Sequence, residues 1–309
     1  MKFPSGPQRT VDLNHIRIFA KVVEEGSFTA AAAALHLTKS SISRALAHLE
    51  ERVGVRLLQR NTRKVTLTTA GQSYFDQVRS ALAELARASE SVSEMGSQAR
   101  GTVRITAPPD VGSMLISKLT ANFLRQYPNI SVELSVTTEV VDLIKEGYDL
   151  AVRIGDLKDS SLAVRRIGHQ TLGLFASKDY LDRRGRPACP ADLALHDCVL
   201  SKTIARHQGG RNLWRLWHDG REEVVEVTGR IEVNEMHCVC RSVLAGLGIG
   251  VLPQFYSRQF DGLVRILPGY ALQKVPMSVV SPSRKLEPNR VVLFRDYLVT
   301  NLAGELRDN

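Results

Sequence analysis

The sequence predicts an α/β chain with an all-α head: a winged helix-turn-helix, then a long linker helix, then a two-lobed α/β domain. Three observations carry that prediction. Residues 14 to 71 hold three short helical patterns followed by a basic hairpin. Residues 70 to 99 contain no proline and space their apolar residues by alternating threes and fours. Beyond residue 100, strand-like and helix-like segments alternate. At 309 residues the chain has room for two or more domains with cores of their own. The boundaries fall at 1–69, 70–99 and 100–309.

The first helical pattern carries Ile16, Phe19, Ala20 and Val23 at i, i+3, i+4 and i+7, one apolar stripe. Gly26 ends it, and Ser27 is placed to cap the next helix. The run Ala30 to Ala34 favours helix, and methyl side chains let two helices cross closely. Thr38 then caps a third helix by accepting from the amide of Ser40 or Ser41. In that helix Ile42, Leu46, Leu49 and Val53 form the buried stripe, which leaves Ser40, Ser43, Arg44, Ala47 and His48 outside. Short hydroxyls permit close approach, Lys39 and Arg44 reach phosphates or guanine edges, and a helix N-terminus favours a phosphate. Gly54 ends the helix. Val55 to Leu58 and Val65 to Leu67 pair as a small hairpin, with Arg60, Arg63 and Lys64 at its tip to grip the flanking backbone. This is what laying one helix in a DNA major groove requires. The DNA-contacting set is Ser27, Thr29, Thr38, Lys39, Ser40, Ser41, Ser43, Arg44 and His48, with Arg60, Arg63 and Lys64 on the wing.

Charge supports the same reading. Residues 1 to 68 hold eleven Lys and Arg against five Asp and Glu, a net +6 out of +9 for the whole chain. A charge so concentrated implies a polyanionic partner rather than a merely solvated helical face. The rest of the composition, 43% hydrophobic and 24% charged, is that of an ordinary globular protein. No apolar run approaches the ~20 residues of a membrane span. The first 14 residues lack the hydrophobic stretch of a secretory signal, so the expected location is the cytoplasm.

In the connector, Phe75, Val78, Leu82, Leu85, Ser89 and Val92 follow a heptad seam. The segment carries two Lys and Arg against four Asp and Glu, so it is not a DNA-contacting helix. A helix of this kind after a DNA-binding head is expected to pair with its twin through Phe75, Val78, Leu82, Leu85 and Val92, presenting two heads to two half-sites. Ser89 weakens one layer of the seam.

Gln98-Ala99-Arg100-Gly101 marks a boundary. Thr102 to Ala107 reads as a strand, Val111 to Tyr127 as a helix, Ile130 to Val136 as a strand, Val140 to Glu146 as a helix and Tyr148 to Ile154 as a strand. That order implies a parallel sheet with helices on its faces. It repeats with Gln170 to Ser177, a helix at Asp179 to Arg183, a strand at Glu223 to Val233 and a helix through Met236 to Ala245. Ser201 to Gly220 reads as irregular. Two such halves make a clamp for a small molecule, with the ligand beyond the carboxyl ends of the strands.

Four cysteines, Cys189, Cys198, Cys238 and Cys240, make no disulfide framework. Free thiols are expected, with a redox pair at Cys189 and Cys198 left open. His237, Cys238 and Cys240 do not converge on a tetrahedral ion, so no metal is expected. The chain has no Gly-x-Ser-x-Gly elbow, no His-Glu-x-x-His, no P-loop and no dinucleotide fingerprint. Gly246, Gly248 and Gly250 run from helix into strand, the wrong order for a phosphate cradle. Neither an enzyme nor a cofactor is expected. The competing class is a small-molecule-binding module without sequence-specific DNA binding.

Four segments resemble the DNA-binding signature of the LysR-type transcriptional regulators: Gly26 to Ala32, Thr38 to Arg44, Leu49 to Leu57 and Leu67-Thr68-Thr69-Ala70-Gly71. Phe123 to Pro128, Asp142-Leu143-Ile144, Gly147 to Gly155 and Leu244 to Pro253 resemble that family's effector domain, the subgroup with Arg-Ile-Gly after the third strand being most similar. Lys39 departs from the glutamine often found there. The resemblance implies a homodimer or homotetramer on double-stranded promoter DNA, with RNA polymerase as a further partner. It also implies a sensor similar to type 2 periplasmic binding proteins. Lobe one would comprise 100–169 plus 268–309, and lobe two 170–267. By family position the effector cleft is lined by Pro108, Pro109 and Asp110, by Thr137 and Thr138, by Arg153, and by Asn234 and Glu235 at the crossover. Arg153 suits a ligand carboxylate, hence an anionic effector. The alternative for it is an internal ion pair with Asp110, Asp156 or Glu235.

Overall fold

The computed structural model describes residues 11–59, 65–94, 99–157, 162–208, 212–282 and 287–306. They form two compact units. No helix among them is long and apolar enough to cross a membrane.

The head begins with α1 (Leu13–Glu25), whose first turn is capped by Asp12, its carboxylate accepting from the Asn14 N–H. Gly26 ends it in the left-handed conformation at φ 61°. In α2 (Phe28–Ala34) the Ser27 hydroxyl accepts from the Ala30 N–H, and Ala31 and Ala32 are buried. In α3 (Lys39–Val53) Thr38 caps through the amide of Ser41 at 3.2 Å, and Gly54 closes the helix at φ 77°. The core gathers Phe19, Ala20, Val22, Ile42, Leu46, Leu49 and Leu57. Val22 was not in the predicted stripe. It is fully buried while Ile16 and Val23 are only half-buried, so α1 is rotated from the expected face. Val53 is likewise half-buried, and Ala45 takes its place inside.

Glu50 explains how the wing is held. Its carboxylate accepts from the N–H groups of Leu57 at 2.8 Å and Leu58 at 3.0 Å, tying the wing's first arm to α3. The expected hairpin is, among the described residues, a single antiparallel bridge, Leu58 to Leu67, flanked by Gln59 N–H to Thr66 C=O at 2.8 Å. Arg60, Arg63 and Lys64 lie outside the described residues.

The long helix α4 (Thr69–Glu94) follows. Phe75, read from spacing as a seam residue, belongs to the head's own core: its ring lies 6.2 Å from Phe19, edge on. Val78 is also buried, Leu82 is half-buried and Leu85 is 54% exposed. The side chain of Val92 lies outside the described set.

The second unit has two lobes. Lobe one runs through β1 (Gly101–Ala107), α5 (Pro109–Val111), a π-helical turn at Gly112–Ile116, α6 (Ser117–Gln126), β2 (Ile130–Val136), α7 (Leu143–Glu146, of which Ile144–Glu146 group with the first unit), β3 (Leu150–Ile154) and β4 (Leu162–Gln170). Lobe two holds β5 (Leu172–Ser177), α8 (Lys178–Arg184), β6 (Asp197–Ser201), α9 (Lys202–Gln208), β7 (Leu213–His218), β8 (Arg221–Glu226), β9 (Thr228–Val233), α10 (Met236–Leu244), β10 (Ile249–Pro253) and β11 (Leu263–Ile266). The chain then returns to lobe one as β12 (Val275–Pro282) and α11 (Asn289–Glu305).

The sheets run β2-β1-β3-β12-β4 and β11-β5-β10-β6-β9. The expectation of parallel sheets is corrected. β2, β1 and β3 are parallel, but β12 runs antiparallel to both β3 and β4, and β5 runs antiparallel to β10 and β11. Local expectations shift for physical reasons. The strand drawn at 170–177 breaks at Thr171, where the chain passes from one sheet to the other. The strand drawn at 223–233 is two strands, β8 and β9, in different sheets. The helix drawn from 140 begins only at Leu143.

The stretch read as irregular, 201–220, holds α9 and β7. β7 pairs β8 through a turn at Asp219 (φ 49°) and Gly220 (φ 77°), with His218 opposite Arg221. Asp-Gly with both residues at positive φ is the hairpin turn whose twist matches its strands. Trp214 and Leu216 point inward from β7, 3% and 0% exposed.

The three glycines after α10 serve close packing. Gly246 stands at φ 74°, a Cβ on Gly248 would lie 2.2 Å from the Asp197 carbonyl oxygen, and one on Gly250 would meet Val243 at 2.7 Å.

Candidate nucleic-acid interface and effector cleft

On the head, one face of α3 is buried and the other is bare. Lys39, Ser40, Ser41, Ser43, Arg44, Ala47 and His48 are all exposed, as are Thr38 before the helix and Thr29 on α2. The Thr38 hydroxyl lies 2.9 Å from those of both Ser40 and Ser41, so the first turn presents a small cluster of hydroxyls at a helix N-terminus. Ser27 differs from the others: it is half-buried and its oxygen is engaged as the α2 cap. Arg44 forms no ion pair among the described residues, which leaves its guanidinium available to an anion. Asn14, His15 and Arg17 of α1, absent from the predicted set, line a groove together with Ser41, Arg44 and His48.

Between the lobes of the second unit lies a cavity of about 560 Å³. All eight residues placed there by family position line it: Pro108, Pro109, Asp110, Thr137, Thr138, Arg153, Asn234 and Glu235. Asn234 and Glu235 do so from within lobe two, between β9 and α10. They are not at a crossover, because the chain changes lobes at Thr171 and between β11 and β12. Gln170, at the end of β4 in lobe one, and Lys202 and Thr203 of lobe two also line it, and nothing in the spacing of the sequence marks them.

Asp110 lies in the short helix α5 and is 6% exposed. Burial pushes its carboxyl up to about 6. Bonding to the Val111 N–H pulls it back, the nearby Glu235 charge pushes it further up, and its own N–H opposes that. Glu235 is held in place as the cap of α10, accepting from the N–H groups of His237 at 2.8 Å and Cys238 at 2.9 Å. Arg153 donates to the carbonyl oxygens of Glu139 at 3.3 Å and Val141 at 3.1 Å, so it braces the loop after β2. Gln170 is 4% exposed, and its Nε2 has no hydrogen-bond partner among the described residues. A buried amide donor without a partner is costly, so it is a feature that a ligand acceptor would satisfy.

The cysteines divide by burial. Cys189 and Cys238 are exposed, Cys198 and Cys240 are buried. Burial pushes the Cys198 thiol up to about 12, so it has almost no thiolate at neutral pH, which argues against easy oxidation with Cys189. Among the described residues no group of His, Cys, Asp and Glu is arranged to hold a metal ion.

Residues 13–72 match the family model described as bacterial regulatory helix-turn-helix protein, lysR family, and residues 96–303 match that of the LysR substrate binding domain. The chain belongs to the LysR family. The HTH-type transcriptional regulator PtxR of Pseudomonas aeruginosa is 36% identical over 300 residues, covering 96% of this chain and 94% of that one. An HTH-type transcriptional regulator of Haemophilus influenzae is 35% identical over 282 residues, 90% of this chain and 96% of that one. The full-length structure of the Vibrio cholerae virulence activator AphB matches with a TM-score of 0.61 at 28% identity, over 94% of this chain and 99% of that one. This LysR-type transcriptional regulator therefore joins a helix-turn-helix DNA-binding domain to a substrate-binding effector domain.

Proposed function

We propose that the protein acts in the cytoplasm as a homodimer or homotetramer on double-stranded promoter DNA and adjusts its grip when a small anionic co-inducer enters the cleft. RNA polymerase is the further partner, and the chain carries out no catalysis. Residues 1–69 would bind DNA. Residues 70–99 would pair protomers through Leu82, Leu85 and Val92, with Phe75 and Val78 buried within the chain itself. Residues 100–309 would sense the ligand. The supporting observation is that residues from both lobes converge on one cavity large enough for a metabolite. A ligand bound there biases the protein only by its differential affinity for the open and closed lobes. The change is then carried through the oligomer to the angle between paired heads.

The charges around the cavity shape the ligand proposal. Arg153 and Lys202 are its cations, while Asp110, Glu139, Asp156 and Glu235 are its acids. A carboxylate would sit toward Arg153, and the same molecule would offer a hydrogen-bond donor toward Asp110. Among a panel of small carboxylates screened by thermal shift, a hit should lose about 10- to 100-fold in affinity in Arg153→Ala, the worth of one charge-assisted hydrogen bond. An unchanged affinity would rule out this role for Arg153.

The deciding experiment is fluorescence anisotropy of the full chain on its own upstream DNA and on scrambled DNA across a salt series. Preference for the upstream DNA supports the regulator reading. Arg44→Ala should lower that preference by about 1–3 kcal/mol and relax sequence choice, and Arg63→Ala should weaken both duplexes and flatten the salt slope by about one unit. Equal binding to both DNAs at every salt concentration would favour a ligand-binding module without sequence-specific DNA binding.

A further inference from the structure

The groove between α1 and α3 encloses about 420 Å³ beside the recognition face. Asn14, His15 and Arg17 line it from α1, and Ser41, Arg44 and His48 from α3. Its chemistry is one-sided. Arg17 and Arg44 are exposed and form no ion pair among the described residues. The imidazoles of His15 and His48 stack with centroids 5.9 Å apart and planes at 14°. Asp12 lies 4.0 Å from His15 and Glu51 3.6 Å from His48, but neither carboxylate lines the groove.

Two guanidinium groups and two rings that become cations on protonation repel one another in an empty groove. An anion among them turns that repulsion into attraction and finds donors in two guanidinium groups, two imidazoles, the Asn14 amide and the Ser41 hydroxyl, while Ile18, Leu35, Leu37 and Ala45 complete the lining. The source of the anion follows from position. Ser41, Arg44 and His48 belong both to the groove and to the bare face of α3, so a polyanion seated on that face meets three of the groove's own side chains.

We propose that this groove clamps a backbone phosphate of the bound duplex, with Asn14, His15 and Arg17 making α1 a further DNA-contacting element. The inference rests on the DNA-binding assignment of the head and extends it to α1. The stacked rings also make the clamp respond to protons. Imidazole changes charge between pH 5 and 8, and a phosphate beside it favours the charged form. The charged groups nearest the two rings are Asp12, Glu51, Arg17 and Arg44. DNA binding therefore takes up protons and tightens as pH falls.

The test is anisotropy with the full chain on two labelled duplexes, upstream and scrambled, across salt series at pH 6 and pH 8. A phosphate contact carries no sequence information, so both duplexes report it. Arg17→Ala should weaken both by the same factor and lower the slope of log affinity against log salt by about one unit. Arg125→Ala removes one exposed charge from the other unit and should leave the slope unchanged. Wild type should bind several-fold more tightly at pH 6 than at pH 8, and the double variant His15→Gln with His48→Gln should lose most of that difference. Thermal unfolding checks that each variant is folded. An unchanged slope in Arg17→Ala overturns the clamp and leaves the DNA-binding assignment standing. So does a pH effect that is absent from wild type or survives in the double variant. A wild-type chain that binds neither duplex at low salt overturns both.

Discussion

Replacing Gly71 with Ala tests how the head is joined to its long helix. Gly71 lies in the first turn of α4, and a Cβ there would stand 2.0 Å from the Leu57 carbonyl oxygen and 2.8 Å from its carbon. The obstacle is backbone, so no side chain can swing aside. Ordinary contact begins near 3.4 Å, and the helix and the wing must part by over 1 Å. That movement pulls on a cluster of hydrogen bonds. The Thr68 N–H donates to Leu57 C=O at 3.0 Å, the Thr68 hydroxyl donates to Arg56 C=O at 2.7 Å, and the Gly71 N–H donates to the Thr68 hydroxyl at 2.9 Å. Overpacking of this kind costs about 1–3 kcal/mol, and each lost hydrogen bond about 1 kcal/mol more. Against this, Ala is better than Gly inside a helix by about 1 kcal/mol. The net is a destabilisation of about 1–3 kcal/mol, which lowers the melting temperature of a unit this size by roughly 5–20 °C. Differential scanning calorimetry of the full chain should show the head transition falling while that of the effector unit holds. A head transition at or above the wild-type temperature would mean that helix propensity outweighs the clash, and the reasoning would fail.

Other perturbations have equally definite signs. Thr38→Ala removes the α3 cap and should cost the head about 1 kcal/mol, whereas Thr38→Ser should restore most of it; calorimetry separates the two. Asp110 titrates at about 6 when folded, above its ordinary 3.8, so the folded chain holds a proton that the unfolded chain has released. Stability of the effector unit should therefore fall by roughly 2–3 kcal/mol as pH rises from about 4 to about 6. Asp110→Asn should unfold later than wild type at pH 7 and together with it below pH 4, and equal melting at both would dismiss the buried charge. Gly248→Ala drives a methyl to 2.2 Å from the Asp197 carbonyl oxygen, so denaturant unfolding should show a weaker effector unit, by about 1–3 kcal/mol, beside an unaltered head.

Local signals made the head legible. Ser27, Thr38, Gly26 and Gly54 act where their chemistry puts them, because a cap and a left-handed glycine are decided within four residues. Periodicity does not mark Val22, because a helix can turn by a residue and still show a 3.6 period, and only packing in the same core as Leu46 and Leu49 selects the face. The place of β12 between β3 and β4 was beyond local reading, since its partners lie over a hundred residues away in the chain. The hairpin of β7 and β8 carried its signal openly, Asp219-Gly220 between alternating strands, and was obscured by the charged and glycine-rich residues ahead of it. In the cleft, the family pattern names eight residues that line one cavity, while Gln170 carries no local signal and is marked only by its burial and by an Nε2 without a partner among the described residues.

The position of β12 has a consequence for the order in which the chain is made. Domains generally fold as they leave the ribosome, N-terminal first. The head and α4 are complete within the first 94 residues, and lobe two within the first 266. Lobe one must wait for β12, because β4 has no place beside β3 until that strand fills the gap. A nascent chain therefore carries a finished reading head long before it carries a finished sensor. A message cut short before residue 275 would yield a protein with the means to occupy DNA and no complete lobe one with which to answer a signal.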